Sequence, residues 1–282
     1  MSDEPSLIAL IDDRLASGRV ELPVCDKVAM RVHREVREGR LDADGLCRIL
    51  ESDPTLVGEV MRMANSPFFR GLSEVSSLRE ATVRLGLKQI AAITLSIGQK
   101  RLYSSSKGPF KVRLVRLWQH AAAASRGARW IALNAGHRAR AEEAFVCGLL
   151  HDVGKMSLLR IIEDVAREER VHLTNEVVDA VLQGMNAPHG AKLLEAWNMP
   201  EPFLSVVRRQ SEPEPDRDDV LLCIVRLVDR ACALEGISDC PDDSIVLETL
   251  PERDALGLSE LDLAELRLLL EDLRGGGSAK AA

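Results

Sequence analysis

His151 and Asp152 stand side by side in the string Gly148-Leu149-Leu150-His151-Asp152-Val153-Gly154-Lys155, an imidazole next to a carboxylate at the end of an apolar run. Both side chains are good ligands for a divalent metal, and a helix that breaks at Gly154 would let consecutive residues point at one centre. Taken alone, such a pair reads as an ordinary hydrogen-bonded contact, so the question is what else the chain brings to it. His120 lies three residues after Leu117 and four before Ala124, on the edge of an apolar helical stripe. Asp229 lies four residues after Val225 and three before Cys232, inside another apolar run. A carboxylate in that position is costly to bury unless a cation or hydrogen-bond donors compensate it. His120, His151, Asp152 and Asp229 are therefore the candidate ligands of one divalent metal ion. Such a metal would activate water and act as a Lewis acid, with Lys155 close in sequence to stabilise negative charge. His189 is a candidate fifth ligand, although a Pro188-His189-Gly190 turn more often uses its histidine for capping or packing.

These residues need helices to hold them, and helical signals dominate the chain. No sustained alternation of period two with hairpin turns is present, so no strand is expected. An amphipathic segment (Leu7, Ile8, Leu10, Ile11, Leu15) stops at Gly18, and Val24 to Glu38 forms the next helix. Asp53 can cap a helix whose first position is Pro54, where no N–H is needed, and Asn65-Ser66-Pro67 ends it. Asn65 and Ser66 read as a helix stop rather than as a binding surface. Ser77-Leu78-Arg79-Glu80 has the pattern of a capping box, and a further helix follows from Leu87 to about Leu102. The stretch from Ser104 to Pro109 is a linker. After it, Leu114, Leu117, Trp118, Ala121, Ala124, Ala128 and Ile131 keep one stripe for about five turns. Shorter helices are expected over 142–150, 175–183, 187–197 and 201–210, then a stripe from Leu221 to Cys232 and a last helix over about 258–273. That last helix is too apolar to float free, and a Gly-rich tail follows it.

Composition removes several function classes. With 282 residues, 46% apolar and 29% charged, the chain can bury a full core, and 3% aromatic content leaves that core to aliphatic side chains. A net charge of −7 argues against a dedicated nucleic-acid binder. The local basic cluster Lys107, Lys111, Arg113 and Arg116 reads as a solvated helix face or a phosphate-binding patch. No apolar run approaches the ~18 residues a membrane span requires, and the acidic start Met-Ser-Asp-Glu-Pro is unlike an export signal. Cys25, Cys47, Cys147, Cys223, Cys232 and Cys240 contain no C-x-x-C pair and read as reduced, mostly buried thiols. A cytoplasmic location is expected.

The order His…His-Asp…Asp on separate helices is the pattern of HD-type phosphohydrolases, and the likeness extends further. Asp53-Pro54-Thr55-Leu56, Met63-Ala64-Asn65-Ser66, Ser77-Leu78, Ala81 and Leu85-Gly86 resemble the N-terminal half of an HDOD domain, the HD-related output domain of bacterial signalling proteins. Leu117-Trp118-Gln119-His120, the string Gly148–Lys155, His189-Gly190-Ala191, Leu194 and Trp197-Asn198-Met199-Pro200 resemble its C-terminal half. The resemblance implies an all-α fold, an N-terminal helical bundle packed on a degenerate HD-type bundle. It also implies a role in signal transduction, generally without phosphohydrolase activity. It divides the chain into an N-terminal helix over 1–19, an HDOD domain over 20–236 (halves 20–103 and 110–236) and an extension over 237–282.

Related bundles that hydrolyse cyclic di-GMP carry a His-His pair where this chain has Gln210 and Ser211, with a Gly-Tyr-Pro motif beyond it. Neither Gln210 nor Ser211 replaces an imidazole in a multi-metal site, so a binuclear centre is not expected. The reading is a non-catalytic signalling module that binds signalling proteins or a small ligand, with no cofactor or one divalent metal ion. The alternative is a mononuclear metal-dependent phosphohydrolase acting on a nucleotide. No nucleic-acid or membrane partner is implied.

Overall fold

The computed structural model describes residues 10, 11, 14, 23, 25–69, 73–104, 108–169 and 173–276. Most of the opening amphipathic segment, Lys107 with Ser105 and Ser106, and the tail after Gly276 lie outside the described residues. Among the described residues every regular element is helical and no strand occurs, so the protein is all-α. The chain divides into two compact units, residues 24–102 and residues 103–282 together with 1–23.

The smaller unit holds α1 (Lys27–Arg37), α2 (Ala43–Leu50), α3 (Pro54–Ala64), α4 (Leu78–Leu85) and α5 (Leu87–Ser104), the last of which belongs to it through Leu102. Its N-caps follow the sequence signals. Asp53 Oδ1 accepts from Leu56 N at 2.9 Å, and Ser77 Oγ accepts from Glu80 N at 3.1 Å. The capping box is shifted by one residue, because Glu80 reaches back to Ser76 N at 2.8 Å rather than to Ser77. Arg101 joins two caps, reaching Asp26 Oδ2 and Asp53 Oδ2 at 2.8 Å each. Asn65 uses its whole amide on the Val75 backbone, donating to Val75 O at 3.0 Å and accepting from Val75 N at 2.9 Å. Helix α2 carries no strong sequence signal beyond its Asp42 cap, yet it buries Leu46, Ile49 and Leu50.

The larger unit is built from α6 (Lys111–Asn134), α7 (Ala141–Leu150), α8 (Val153–Glu169), α9 (Asn175–Ala196), α10 (Glu201–Arg209), α11 (Val220–Leu234), α12 (Pro251–Ala255) and α13 (Glu260–Gly276). Helix α6 is its axis, with α7, α11 and α13 packed along it, while α8 pairs with α9 and α9 with α10. Leu114, Leu117, Ala121, Ala124, Ala128 and Ile131 of α6 are buried, as the stripe predicts, whereas its Trp118 is only half-buried. Two expectations fail here. The helices expected over 175–183 and 187–197 are one helix, Asn175–Ala196, with Pro188 inside it. The buried face Val178, Val181, Leu182, Met185, His189 and Leu193 keeps one phase across Pro188, so packing on α8 outweighs the lost backbone hydrogen bond. The second concerns Gly154, which does not break a helix. The turn is at His151-Asp152, and Gly154 lies inside the first turn of α8. Helix α13 packs back on its own unit, burying Leu263, Leu266 and Leu270.

Candidate metal centre

Helix α6 carries His120, the turn after α7 carries His151 and Asp152, and α11 carries Asp229. Helices α6 and α7 approach closely because residue 148 is glycine: a Cβ there would sit 2.7 Å from the Ala124 carbonyl oxygen. That contact lies one turn beyond His120 and just before His151, so it sets the separation of the two rings. Both rings are fully buried, and their Nε2 atoms face each other at 2.9 Å.

The outward nitrogens decide the chemistry. His120 Nδ1 lies 2.8 Å from Ile237 O, and His151 Nδ1 lies 2.8 Å from Gly148 O. A carbonyl only accepts, so each Nδ1 carries the proton and donates it. In the neutral rings both Nε2 atoms then present lone pairs to one another, an arrangement that needs a positive charge between them. Backbone carbonyls acting on Nδ1 in this way orient metal-ligating histidines. Asp229 Oδ1 stands 3.3 Å from His120 Nε2 and 3.7 Å from His151 Nε2. The ligand atoms of His120, His151 and Asp229 all lie within 4.8 Å of one another.

Asp152 stands apart from this trio. Its Oδ2 faces the same two nitrogens at 3.5 and 3.6 Å, but Lys155 Nζ holds that oxygen at 2.8 Å. Its Oδ1 accepts from Asn186 Nδ2 at 2.8 Å. The four predicted residues thus meet at one place, with three of them free to ligate and Asp152 already engaged.

Burial is the strongest single influence on each ring and disfavours the imidazolium, yet neighbouring groups together outweigh it. Asp229 and Cys232 push His120 up to about 10, and Asp152 and Asp229 push His151 up to about 9. Two imidazolium rings cannot share nitrogens 2.9 Å apart, so the pocket favours one added positive charge. Asp229 moves the other way. Its partly buried position opposes ionisation, but the two imidazoles beside it hold its carboxyl well below the usual range.

Above the centre opens a cavity of about 530 Å³, lined by polar side chains that include Asp152, Lys155, Gln210, Asp229, Arg230 and Asp239. Asp229 is 43% exposed and faces this space. Lys155 is not free to meet an anion. Its Nζ lies 2.8 Å from Asp152 Oδ2 and 3.2 Å from Asp239 Oδ1, and despite burial these carboxylates raise its pKa further. Gln210 is also engaged, donating from Nε2 to His151 O at 2.6 Å and to Val207 O at 3.2 Å. Ser211 lies on the cavity wall.

The remaining predicted residues are elsewhere. His189 faces Ser157 Oγ at 2.9 Å within the α8–α9 packing and does not join the centre. Of the basic cluster, Arg113 is paired with Asp179 and donates to Asn175 Oδ1 at 2.9 Å, while Lys111 and Arg116 are exposed. Sequence reasoning missed Asn186, Asp239 and the Ile237 carbonyl. Asn186 carries the signal that flagged Asp229, a polar residue in an apolar helical stripe, with Leu182 four residues before it and His189 three after.

His189 yields a pH prediction. Burial, then the charge of Lys192, pulls it down to about 4, so the ring stays neutral in the fold while the unfolded chain titrates near 6.5. The stability this confers is complete above the unfolded value and is lost as pH falls towards the folded one. At pH 5 the loss is about 2 kcal/mol. Urea unfolding at pH 7 and pH 5 should show a larger acid loss in wild type than in His189→Gln, and equal losses would refute the assignment.

Comparison with known proteins decides the family. The HDOD domain profile matches residues 22–213 of this chain. The chain belongs to the HDOD domain family. An HDOD domain protein of unknown function from Geobacter sulfurreducens shares the fold at a TM-score of 0.75 and 25% identity, covering 96% of this chain and 97% of that one. A protein from Shewanella amazonensis, provisionally described as a metal-dependent phosphohydrolase, matches at 0.75 with 18% identity over 95% and 97% of the two chains. One from Marinobacter aquaeolei, provisionally described as a signal transduction protein, matches at 0.69 with 23% identity over 98% and 66%. These last two likenesses speak to fold alone. Among curated proteins, an uncharacterized protein of Treponema pallidum is 24% identical over 211 residues, covering 72% of this chain. This chain spans 39% of that relative's length. The HDOD match ends before Asp229, Ile237 and Asp239, so part of the centre comes from chain beyond it. Among the described residues no helix of this HDOD protein is long and apolar enough to cross a membrane.

Proposed function

We propose that this HDOD protein is a signal-transduction module that works by binding, with at most one divalent cation held by His120, His151 and Asp229 beneath a ligand-receiving cavity. One observation carries this reading: the groups a hydrolytic centre would use are committed to the protein itself. Gln210 stands where related hydrolases place an imidazole, and its amide is bound to two backbone carbonyls. Lys155, the residue suited to a phosphoryl group, is held between Asp152 and Asp239. A divalent ion bound here would supply a Lewis-acidic attachment point for a polar ligand. The partners would be signalling proteins, and Arg116 is the cleaner surface probe of such an interface, since Arg113 is engaged with α9.

A second reading, a mononuclear phosphohydrolase acting on a nucleotide, is favoured by the convergence of two imidazole lone pairs and an exposed carboxylate on one point. The test is elemental analysis of purified protein together with a panel of cyclic and linear nucleotides in Mn²⁺. The expected result is no more than one metal per chain and no hydrolysis, cyclic di-GMP included. Metal-dependent product formation that disappears in His151→Asn would establish the second reading instead.

A further inference from the structure

Helix α13 is tied to the centre through one buried residue at the end of α11, Glu235. Helix α11 ends in a Schellman turn: Gly236 N donates to Ala233 O at 3.2 Å, and Ile237 N donates to Cys232 O at 2.8 Å. Gly236 has φ +69°, a conformation side chains resist, and it reverses the chain there. The next residues serve the centre directly. Ile237 O receives the His120 Nδ1–H at 2.8 Å, and Asp239 Oδ1 receives Lys155 Nζ at 3.2 Å.

What fixes that turn comes from α13. Glu235 is only 7% exposed, and Arg267 Nε donates to its Oε1 at 2.6 Å. Arg274 Nη1 donates to the Glu235 backbone oxygen at 2.7 Å. Leu263, Leu266 and Leu270 anchor α13 in the core beneath these two contacts. Two arginines on one helix therefore grip both ends of the residue that begins the turn.

We infer that Arg267 and Arg274 are positioning residues for the centre, holding Glu235 so that the Ile237 carbonyl keeps the proton of His120 on Nδ1 and its Nε2 open for a cation. The cation half of this inference rests on the binding reading above, whereas the tautomer half does not. Neither arginine touches a ligand atom, and Arg267 is 46% exposed, so both can be changed without opening the core.

The test uses the full chain with ¹⁵N-labelled histidine. In wild type, long-range ¹H–¹⁵N spectra should show His120 protonated at Nδ1, and that proton should exchange slowly. In Arg267→Gln with Arg274→Gln the exchange should become fast, and Co²⁺ affinity should weaken about tenfold, at the lower end of what outer contacts of a metal site contribute. Arg267→Lys should recover most of both. Leu263→Ala, which loosens α13 without touching Glu235, calibrates destabilisation alone and should leave the His120 signal unchanged in the folded protein. Should the double variant unfold, Arg274→Gln by itself carries the test through the same proton. An unaltered His120 signal in the folded arginine variants would overturn the inference. If wild type binds no Co²⁺ while the His120 signal changes as described, the positioning role stands and the cation reading falls.

Discussion

A His151→Asn chain is expected to fold at normal yield and to lose divalent-cation binding by roughly a hundredfold or more. Asparagine is short enough to fit the fully buried site, and its amide can still donate to Gly148 O, the contact that His151 Nδ1 makes at 2.8 Å. Nothing in it reaches the position of Nε2, so the cation loses one of two nitrogen ligands while the turn keeps its backbone geometry. Titration with Co²⁺ or Mn²⁺, alongside near-ultraviolet circular dichroism, measures both halves of this expectation. The same variant should complement a deletion strain if the protein signals by binding surfaces. A well-folded, normally abundant variant that behaves like the deletion would instead make the metal essential to function.

Gly154→Ala should be among the most destabilising single-methyl changes in the molecule, costing about 3 kcal/mol. The added Cβ would sit 2.3 Å from Asn186 O, 2.7 Å from Asn186 Oδ1 and 2.8 Å from Gly190 N. Two of those three atoms are backbone, so relief requires α8 and α9 to move apart. Asn186 would move with α9, releasing Asp152 Oδ1, which it now holds at 2.8 Å. Gly184→Ala on the same α9 is the matched control. A Cβ there meets nothing within 4 Å, and the change should be neutral or stabilising by up to about 1 kcal/mol. Equal melting temperatures for the two variants would contradict this account.

Much of this architecture is legible in the residues because local chemistry and tertiary packing agree. Asp53-Pro54 starts a helix for reasons contained in two residues, and the stripe from Leu114 to Ile131 needs only a partner surface. Where the two disagree, sequence reasoning fails. Pro188 marks a break locally, but a continuous buried face carries the helix through it. Gly154 looks like a terminator because its absent side chain, not its backbone freedom, is what α9 requires. The candidate ligands were visible as polar residues in apolar stripes. Their supports were not: the Ile237 carbonyl has no side-chain signature, and Asp239 lies in a polar loop where an acidic residue attracts no notice. Only the fold shows that these residues set the tautomer of His120 and the charge balance of Lys155.

The junction of α6 with α7 and α11 also has a mechanical meaning. At Gly148 a methyl group would meet backbone of α6, and at Gly127 it would meet Val228 Cγ2 of α11 at 2.4 Å. Helices this close cannot be pressed together, and drawing them apart opens voids that a close-packed interior resists. The ligand-bearing helices therefore behave as a stiff frame around His120. The non-helical wall of the cavity is the Ser238–Asp242 segment, tied to α11 where Asp242 N donates to Ala233 O at 3.1 Å and to α8 where Asp239 meets Lys155. A ligand that displaced this strip would act on the centre through its charges rather than its helices, because Asp239 shares Lys155 with Asp152.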